Sequence, residues 1–235
     1  VASDTPAILQ HTRDVVFLGD EEMAVITRHG VTFTNYAGTE VSKATQRITW
    51  DPVMAEKGGH KHFRRKQIDE QPWAVKETVL GRISLESDAV FLDEMGMSAE
   101  ALKAVERVII LACGTSLHAG LVGKFLIESL AQLPVDVDYG SEYRYRDPVV
   151  APNTLAVDIT QSGETADTLA AVREAKKKDA LTLAICNVLG STLVRECSGV
   201  IYTHAGPEIG VASTKAYTAQ LVILYLLALY LAALK

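Results

Sequence analysis

From Arg107 onward, short apolar runs of β type alternate with stretches of helical period, and this alternation restricts the fold more than any other feature. Parallel strands need a crossover of a dozen or more residues, which a helix supplies, so the pattern reads as successive βαβ units. Strands are expected at residues 108–113, 135–139, 155–159, 181–186 and 200–203. Together they predict an α/β domain, a doubly wound five-stranded parallel sheet. After the first strand, Leu117, Leu121 and Phe125 fall at i, i+4 and i+8, with Val122, Leu126 and Leu130 beside them. That spacing predicts one broad helix face packed on the sheet.

Two regions of different character come earlier. Residues 13–49 hold the runs Val15-Val16-Phe17-Leu18, Ala24-Val25-Ile26-Thr27 and Val31-Thr32-Phe33, separated by Gly19-Asp20 and His29-Gly30 turn signals. They predict a small antiparallel β segment, a meander of three strands, too small to hold a core alone. Residues 51–100 carry Gly58-Gly59, His60-Lys61-His62, Arg64-Arg65-Lys66 and Gln71-Pro72, and read as a hinge followed by connecting helices. The His60/His62 pair lacks a third metal ligand and is assigned to a solvated hinge, and Arg64-Arg65-Lys66 to a solvated helix face.

At the far end, residues 221–234 form an unbroken run of 14 apolar residues. That is short of the ~20 that span a bilayer, so a buried helix is expected. Successive side chains on a helix step by about 100°, so one sheet face covers only part of such a run. Leu227 and Tyr230 are assigned to the outer stripe, and self-association is expected. The opening Val1-Ala2-Ser3-Asp4 has no initiator Met, basic region or apolar region, and the chain stops at Lys235 directly after the apolar run. Both ends read as cuts in a longer protein.

Composition removes several function classes. The 23 basic and 29 acidic side chains give a formal charge of -6, which argues against a broad nucleic-acid face. Cys113, Cys186 and Cys197 are odd in number with no CxxC spacing, so neither a disulfide scaffold nor a zinc site is expected. Reduced thiols in a cytoplasmic protein fit them.

Chemistry is expected beyond the carboxyl ends of parallel strands. Three hydroxyl-rich loops containing glycine stand there, at residues 113–116, 160–165 and 210–215. The first two lead straight from a strand into a helix, where free N–H groups and the positive end of the dipole favour an anion. Such a site suits the phosphate of a small polyol. The same Ser and Thr residues would equally serve as plain helix N-caps. Neither GxGxxG nor GxxxxGK[ST] occurs, so dinucleotide and NTP readings have no support. Glu164 reads either as an acid–base group or as a first-turn carboxylate. His204 and Glu208 either line the site or fix a turn, and Cys113 reads as a small packing residue.

At these residues the chain resembles the glucosamine-6-phosphate synthase family, the isomerising glutamine–fructose-6-phosphate aminotransferases. The likeness rests on Ala112-Cys113-Gly114-Thr115-Ser116, on Gln161-Ser162-Gly163-Glu164-Thr165, on Ala184-Ile185-Cys186-Asn187-Val188, and above all on the run from Gly206 to Ala216. It reaches back through Tyr143-Arg144-Tyr145-Arg146 and Glu70-Gln71-Pro72 to the first residues. The resemblance implies the tail of a glutaminase domain at 1–50, a linker with connecting helices at 51–100, and a first sugar isomerase (SIS) domain at 101–235. It implies that Ser116, Thr160, Gln161, Ser162 and Thr165 hold a sugar phosphate while Cys113, Thr115, Val211 and Ser213 approach the sugar. Fructose 6-phosphate or glucosamine 6-phosphate is the implied ligand, in a homodimer, with no cofactor, metal, nucleic acid or membrane. The family's catalytic nucleophile, base and Schiff-base lysine have no counterpart in this sequence, which implies that the chain alone is inactive. A non-catalytic SIS phosphosugar sensor is the alternative. Three positions depart from the family pattern: Thr160 for a Ser, Gln67 for a Glu, and Asp158 at a strand position normally apolar.

Overall fold

The chain divides between Glu56 and Lys57 into two units. The computed structural model describes residues 1–2, 7–8, 11–48, 56–210 and 212–235. In the first unit β1 (Asp14–Val15) is followed by β2 (Glu22–Thr27), β3 (Gly30–Asn35) and β4 (Gln46–Arg47). β2 and β3 form a tight antiparallel hairpin in which Thr27 faces Gly30. β1 pairs with β4 instead of β2, so the expected three-stranded meander is replaced by a hairpin and a separate two-residue pair. The physical reason lies in the 15–18 run: Val15 is buried with Ile48, and Ile8 and Phe17 pack against them. These side chains make a small cluster that draws the strand away from the hairpin.

The second unit opens with α1 (Phe63–Asp69), α2 (Gln71–Val79), a short pair β5 (Ile83–Ser84) and β6 (Ala89–Val90), and α3 (Ala99–Lys103). Pro72 stands in the first turn of α2, where a missing N–H leaves no helical bond unmade. There follow β7 (Arg107–Ala112), α4 (Gly114–Ala131), β8 (Val135–Tyr139), α5 (Gly140–Tyr143), β9 (Thr154–Ile159), α6 (Ala166–Lys177), β10 (Leu181–Cys186), α7 (Thr192–Glu196), β11 (Gly199–Tyr202) and α8 (Lys215–Leu234). The five strands from β7 to β11 form one sheet in the order β11-β10-β9-β7-β8. Every neighbouring pair is parallel. Each of the five expected strands lies within a residue of its sequence-based bounds. β8 and β9 leave β7 on opposite sides, so the chain reverses direction there and opens a crevice at the carboxyl ends of β7 and β9.

Alternate residues of the strands face two different layers. Val108, Ile110, Leu155, Val157, Ile159, Leu183 and Ile185 build the main core with residues of α4 and α8. Leu111, Ala156 and Tyr143 pack with Ala171 and Ala175 of α6 on the other face. The face of α4 differs from expectation. Its buried residues are Ser116, Leu117, Ala119, Gly120, Gly123, Ile127 and Ala131, whereas Leu121, Val122, Phe125 and Leu130 are exposed, Phe125 at 70%. Close approach decides this: a Cβ on Gly123 would stand 2.9 Å from Leu224 Cδ2 of α8. Small residues of α4 therefore face inward beside Leu117, and of the expected face Leu117 and Leu126 alone meet the core.

α8 runs for 20 residues, longer than the 14-residue run and long enough by length and composition to cross a membrane. Here it packs along α4 and the sheet, with Ile223, Leu224, Leu226, Leu227, Ala228 and Leu231 all in the core. Leu227 is thus internal and not on an outer stripe. Tyr230 is half-buried against the same core, and the exposed large side chain is Tyr225, at 47%. The reason is again helix–helix contact: α4 covers a second side of α8 that the sheet alone leaves open.

Asp158 sits in the middle of β9, fully buried, facing Leu111 on one neighbouring strand and Ala184 on the other. Neither of its carboxyl oxygens has a hydrogen-bond partner among the described residues. Burial holds its pKa well above the usual carboxylate range, so the group folds neutral. Unfolding releases it to ionise, and that favours the unfolded state increasingly as pH rises from the unfolded pKa, about 3.9, towards the raised folded value. Asp158→Val is therefore expected to stabilise the fold at neutral pH by about 1 to 3 kcal/mol. The gain should shrink towards pH 4 in urea denaturation followed by circular dichroism. A constant difference across that range would contradict the neutral-acid assignment.

Candidate functional site

At the carboxyl ends of β7 and β9 the structure has a cleft of about 260 Å³. Its walls come from the 113–116 turn, the 160–165 loop with Ile159 and Thr168, and Glu208, Gly210 and Ser213 ahead of α8. Eight of the nine residues singled out from the sequence meet here: Cys113, Thr115, Ser116, Thr160, Gln161, Ser162, Thr165 and Ser213. Val211 lies outside the described residues.

The 160–165 loop is held from the β10 side. Thr160 N donates to Ile185 O at 3.0 Å, Asn187 N to Gln161 O at 3.2 Å, and Leu193 N to Gly163 O at 3.0 Å. Gly163 has φ +71°, and a Cβ there would meet Ser191 Oγ at 1.9 Å, so the loop closes this tightly only with glycine. Within the loop Thr160 Oγ1 accepts from Gly163 N at 3.3 Å, and Ser162 Oγ accepts from Glu164 N at 3.2 Å.

The three helix starts at the cleft differ in how they are covered. α4 and α6 begin at Cys113 and Thr165 as N-caps, and neither makes a side-chain capping bond. Residues of both helix starts line the cleft, and the two N-cap side chains do not cover the first N–H groups. At α8 the N-cap Thr214 likewise makes no side-chain capping bond, and Ser213 Oγ, which accepts from Tyr217 N, and the Glu208 carboxylate cover the first N–H groups. Glu208 Oε1 accepts from Thr214 N at 2.6 Å and Thr214 Oγ1 at 2.8 Å; Oε2 accepts from Ser213 Oγ at 2.7 Å and Ala216 N at 3.2 Å. Glu208 therefore both lines the site and fixes the turn. Glu164 accepts from Thr192 N at 2.8 Å and so serves the start of α7. His204 is exposed beside Tyr202 and does not line the cleft.

Asn187 pins the chain that returns to this wall. Its side chain donates to Gly206 O at 2.8 Å and accepts from Thr203 Oγ1 and Ala205 N, both at 2.9 Å. α2 and the residues after it brace the wall: Thr78 Oγ1 donates to Thr203 O at 2.6 Å, and Arg82, beyond the helix, donates to Tyr202 O at 2.6 Å. Below Ser213, Lys215 is wholly buried and reaches Glu70 at 2.7 Å, and Lys66 meets the same carboxylate at 3.3 Å. Lys66 is thus buried and paired, unlike the solvated residue the basic run suggested; it faces α8's start instead of water. Thr218 Oγ1 donates to Gln71 Oε1 at 2.6 Å. Burial pulls the Lys215 ammonium below the usual lysine range, and the bond to Glu70 acts against that.

Sequence reasoning missed Thr168 and Ile159 as lining residues. Thr168 stands three residues after Thr165 on α6, so the helical period points to it. Glu70 and Lys215 carried no local signal, because their meeting spans 145 positions. No group of three or more His, Cys, Asp or Glu suited to a metal occurs among the described residues.

Removing one partner of the Glu70–Lys215 pair strands a buried charge. Glu70→Gln is expected to lower stability by about 3 kcal/mol, while Glu70→Gln with Lys215→Met recovers most of that loss. Guanidinium denaturation checks both; two additive losses would mean that the pair does not act as a unit.

The comparisons with known proteins agree with this geometry. The SIS domain family matches residues 101–230. The glutamine–fructose-6-phosphate aminotransferase [isomerizing] of Clostridium tetani is 51% identical over 232 residues, which is 99% of this chain and 38% of that protein. The Methanosarcina acetivorans protein of the same name is 54% identical, over 97% of this chain and 37% of its own. The chain thus spans less than two-fifths of the length of these relatives. Among solved structures, the C-terminal domain of glucosamine-fructose-6-phosphate aminotransferase from Francisella tularensis superposes with a TM-score of 0.72 at 45% identity, covering 76% of this chain and 50% of that one. With a five-stranded parallel sheet, hydroxyl loops at its switch point and a family match over residues 101–230, the chain belongs to the SIS-domain family, in a stretch homologous to part of the glutamine–fructose-6-phosphate aminotransferases.

Proposed function

We propose that this chain supplies phosphosugar-binding residues of an isomerising glutamine–fructose-6-phosphate aminotransferase, which takes nitrogen from glutamine to convert fructose 6-phosphate into glucosamine 6-phosphate. In that reading residues 1–50 end a glutaminase domain, 51–100 link, and 101–235 form the first SIS domain of a cytoplasmic homodimer. Ser116, Thr160, Gln161, Ser162 and Thr165 hold the phosphate, and Cys113, Thr115, Val211 and Ser213 approach the sugar. One observation carries this: the starts of α4 and α6 converge on the cleft without side-chain caps, among hydroxyls that accept from the protein and keep protons to donate. An anion with several acceptor oxygens answers that array, and sugar hydroxyls answer the Ser213 wall.

Ser162→Ala with Thr165→Val is expected to weaken fructose 6-phosphate binding by about 1 to 3 kcal/mol, through loss of charge-assisted bonds. Calorimetry with fructose 6-phosphate and with fructose separates the phosphate contribution. Equal affinity for the two ligands rules the reading out.

The chain alone is expected to make no glucosamine 6-phosphate from either glutamine or ammonia. Glu208 is the carboxylate lining the cleft, and both its oxygens are held by capping donors, so it is not placed to move substrate protons. Cys113 has Thr168 Oγ1 at 4.0 Å, and the lining of the cleft holds no His or Lys among the described residues. Turnover above background in a purified sample would overturn this.

A further inference from the structure

Gln220 lies on α8, one turn and a half beyond Lys215, and is almost completely buried. Its Nε2 donates to Ser116 Oγ at 3.0 Å, across 104 positions of sequence. Its Oε1 has no partner among the described residues. As placed, Nε2 gives one of its two N–H groups to Ser116; the reversed amide would leave both N–H groups without an acceptor and would take up the Ser116 proton.

A serine hydroxyl carries one proton and two lone pairs. When Gln220 occupies a lone pair of Ser116, the proton of Ser116 remains for a group in the cleft, which Ser116 lines. Backbone N–H groups treat Thr160 and Ser162 alike. Thr160 and Thr165 approach at 3.3 Å, so one proton joins them and the other stays available. Ser213 is the reverse case. Its proton is engaged by Glu208, and one lone pair takes Tyr217 N at 3.0 Å. Only acceptor capacity remains there.

We propose that Gln220 is a positioning residue for the cleft: by donating to Ser116 it fixes that hydroxyl as a hydrogen-bond donor towards the anionic group of the ligand. Glu208 sets the opposite polarity at Ser213, so the cleft has a donor end for phosphate oxygens and an acceptor end for a sugar hydroxyl. The inference rests on the phosphosugar reading above and adds a residue that never touches the ligand. That role accounts for a glutamine in an otherwise apolar stretch, where its carbonyl has no partner among the described residues.

A double-mutant cycle on the full chain tests it, with calorimetry of fructose 6-phosphate binding to wild type, Gln220→Leu, Ser116→Ala and the double variant. Gln220→Leu is expected to weaken binding about tenfold. Because Gln220 acts through Ser116, the double variant should bind no more weakly than Ser116→Ala alone, with all melting temperatures above that of the assay. Losses that multiply across the two sites, or wild-type affinity in a folded Gln220→Leu, overturn the proposal while leaving the phosphosugar reading intact. Should Gln220→Leu unfold, Gln220→Met, unbranched and closer in shape, takes its place in the cycle under the same criteria. A wild-type chain that binds no fructose 6-phosphate defeats the phosphosugar reading itself and this inference with it.

Discussion

The start of α8 is where the apolar core and the polar cleft must be reconciled. A long helix of Leu, Ile and Ala packs against α4 and the sheet through contacts that have little direction, and such contacts alone tolerate sliding. Three polar attachments at one end remove that freedom. Glu208 covers the first N–H groups, Lys215 reaches Glu70, and Gln220 reaches Ser116. Each is buried or half-buried and has a narrow range of good geometry, so a shift of one residue would break all three together.

Those attachments also join parts of the chain that are distant in sequence. Glu70 and Gln71 lie at the junction of α1 and α2, Ser116 lies in the first turn of α4, and Glu208 follows β11. The cleft is therefore framed by elements from both ends of the second unit. Residues before the segment matched by the SIS family contribute to its walls indirectly, by holding the helix from which one wall departs.

Two misread surfaces have a common cause. On α4 the large residues that repeat with a helical period were expected inside, yet only Leu117 and Leu126 of them meet the core, and small residues take the other inward positions because two helices and a sheet meet there at close range. On α8 every position from 221 to 234 is apolar, so no period existed there to tell Leu227 from Tyr225. In both cases the neighbour sets the face. Asp158 shows the converse: its type stood out in an apolar strand, and burial without a partner is the state that the strand's register imposes.

The five parallel strands, their order of appearance and the hydroxyl loops at their carboxyl ends were legible in the sequence, because strand period, turn residues and loop composition are local properties. Which loops converge was decided by the strand order: only a sheet that places β9 beside β7, with β8 on the other side, brings residues 160–165 against residues 113–116. The direction of each cleft hydroxyl was likewise outside the reach of the sequence. Ser116 and Ser213 are the same residue type in similar loops, yet one accepts from Gln220 and the other donates to Glu208. A hydroxyl takes its polarity from its partner, and the partner of Ser116 arrives only when α8 folds back across the sheet.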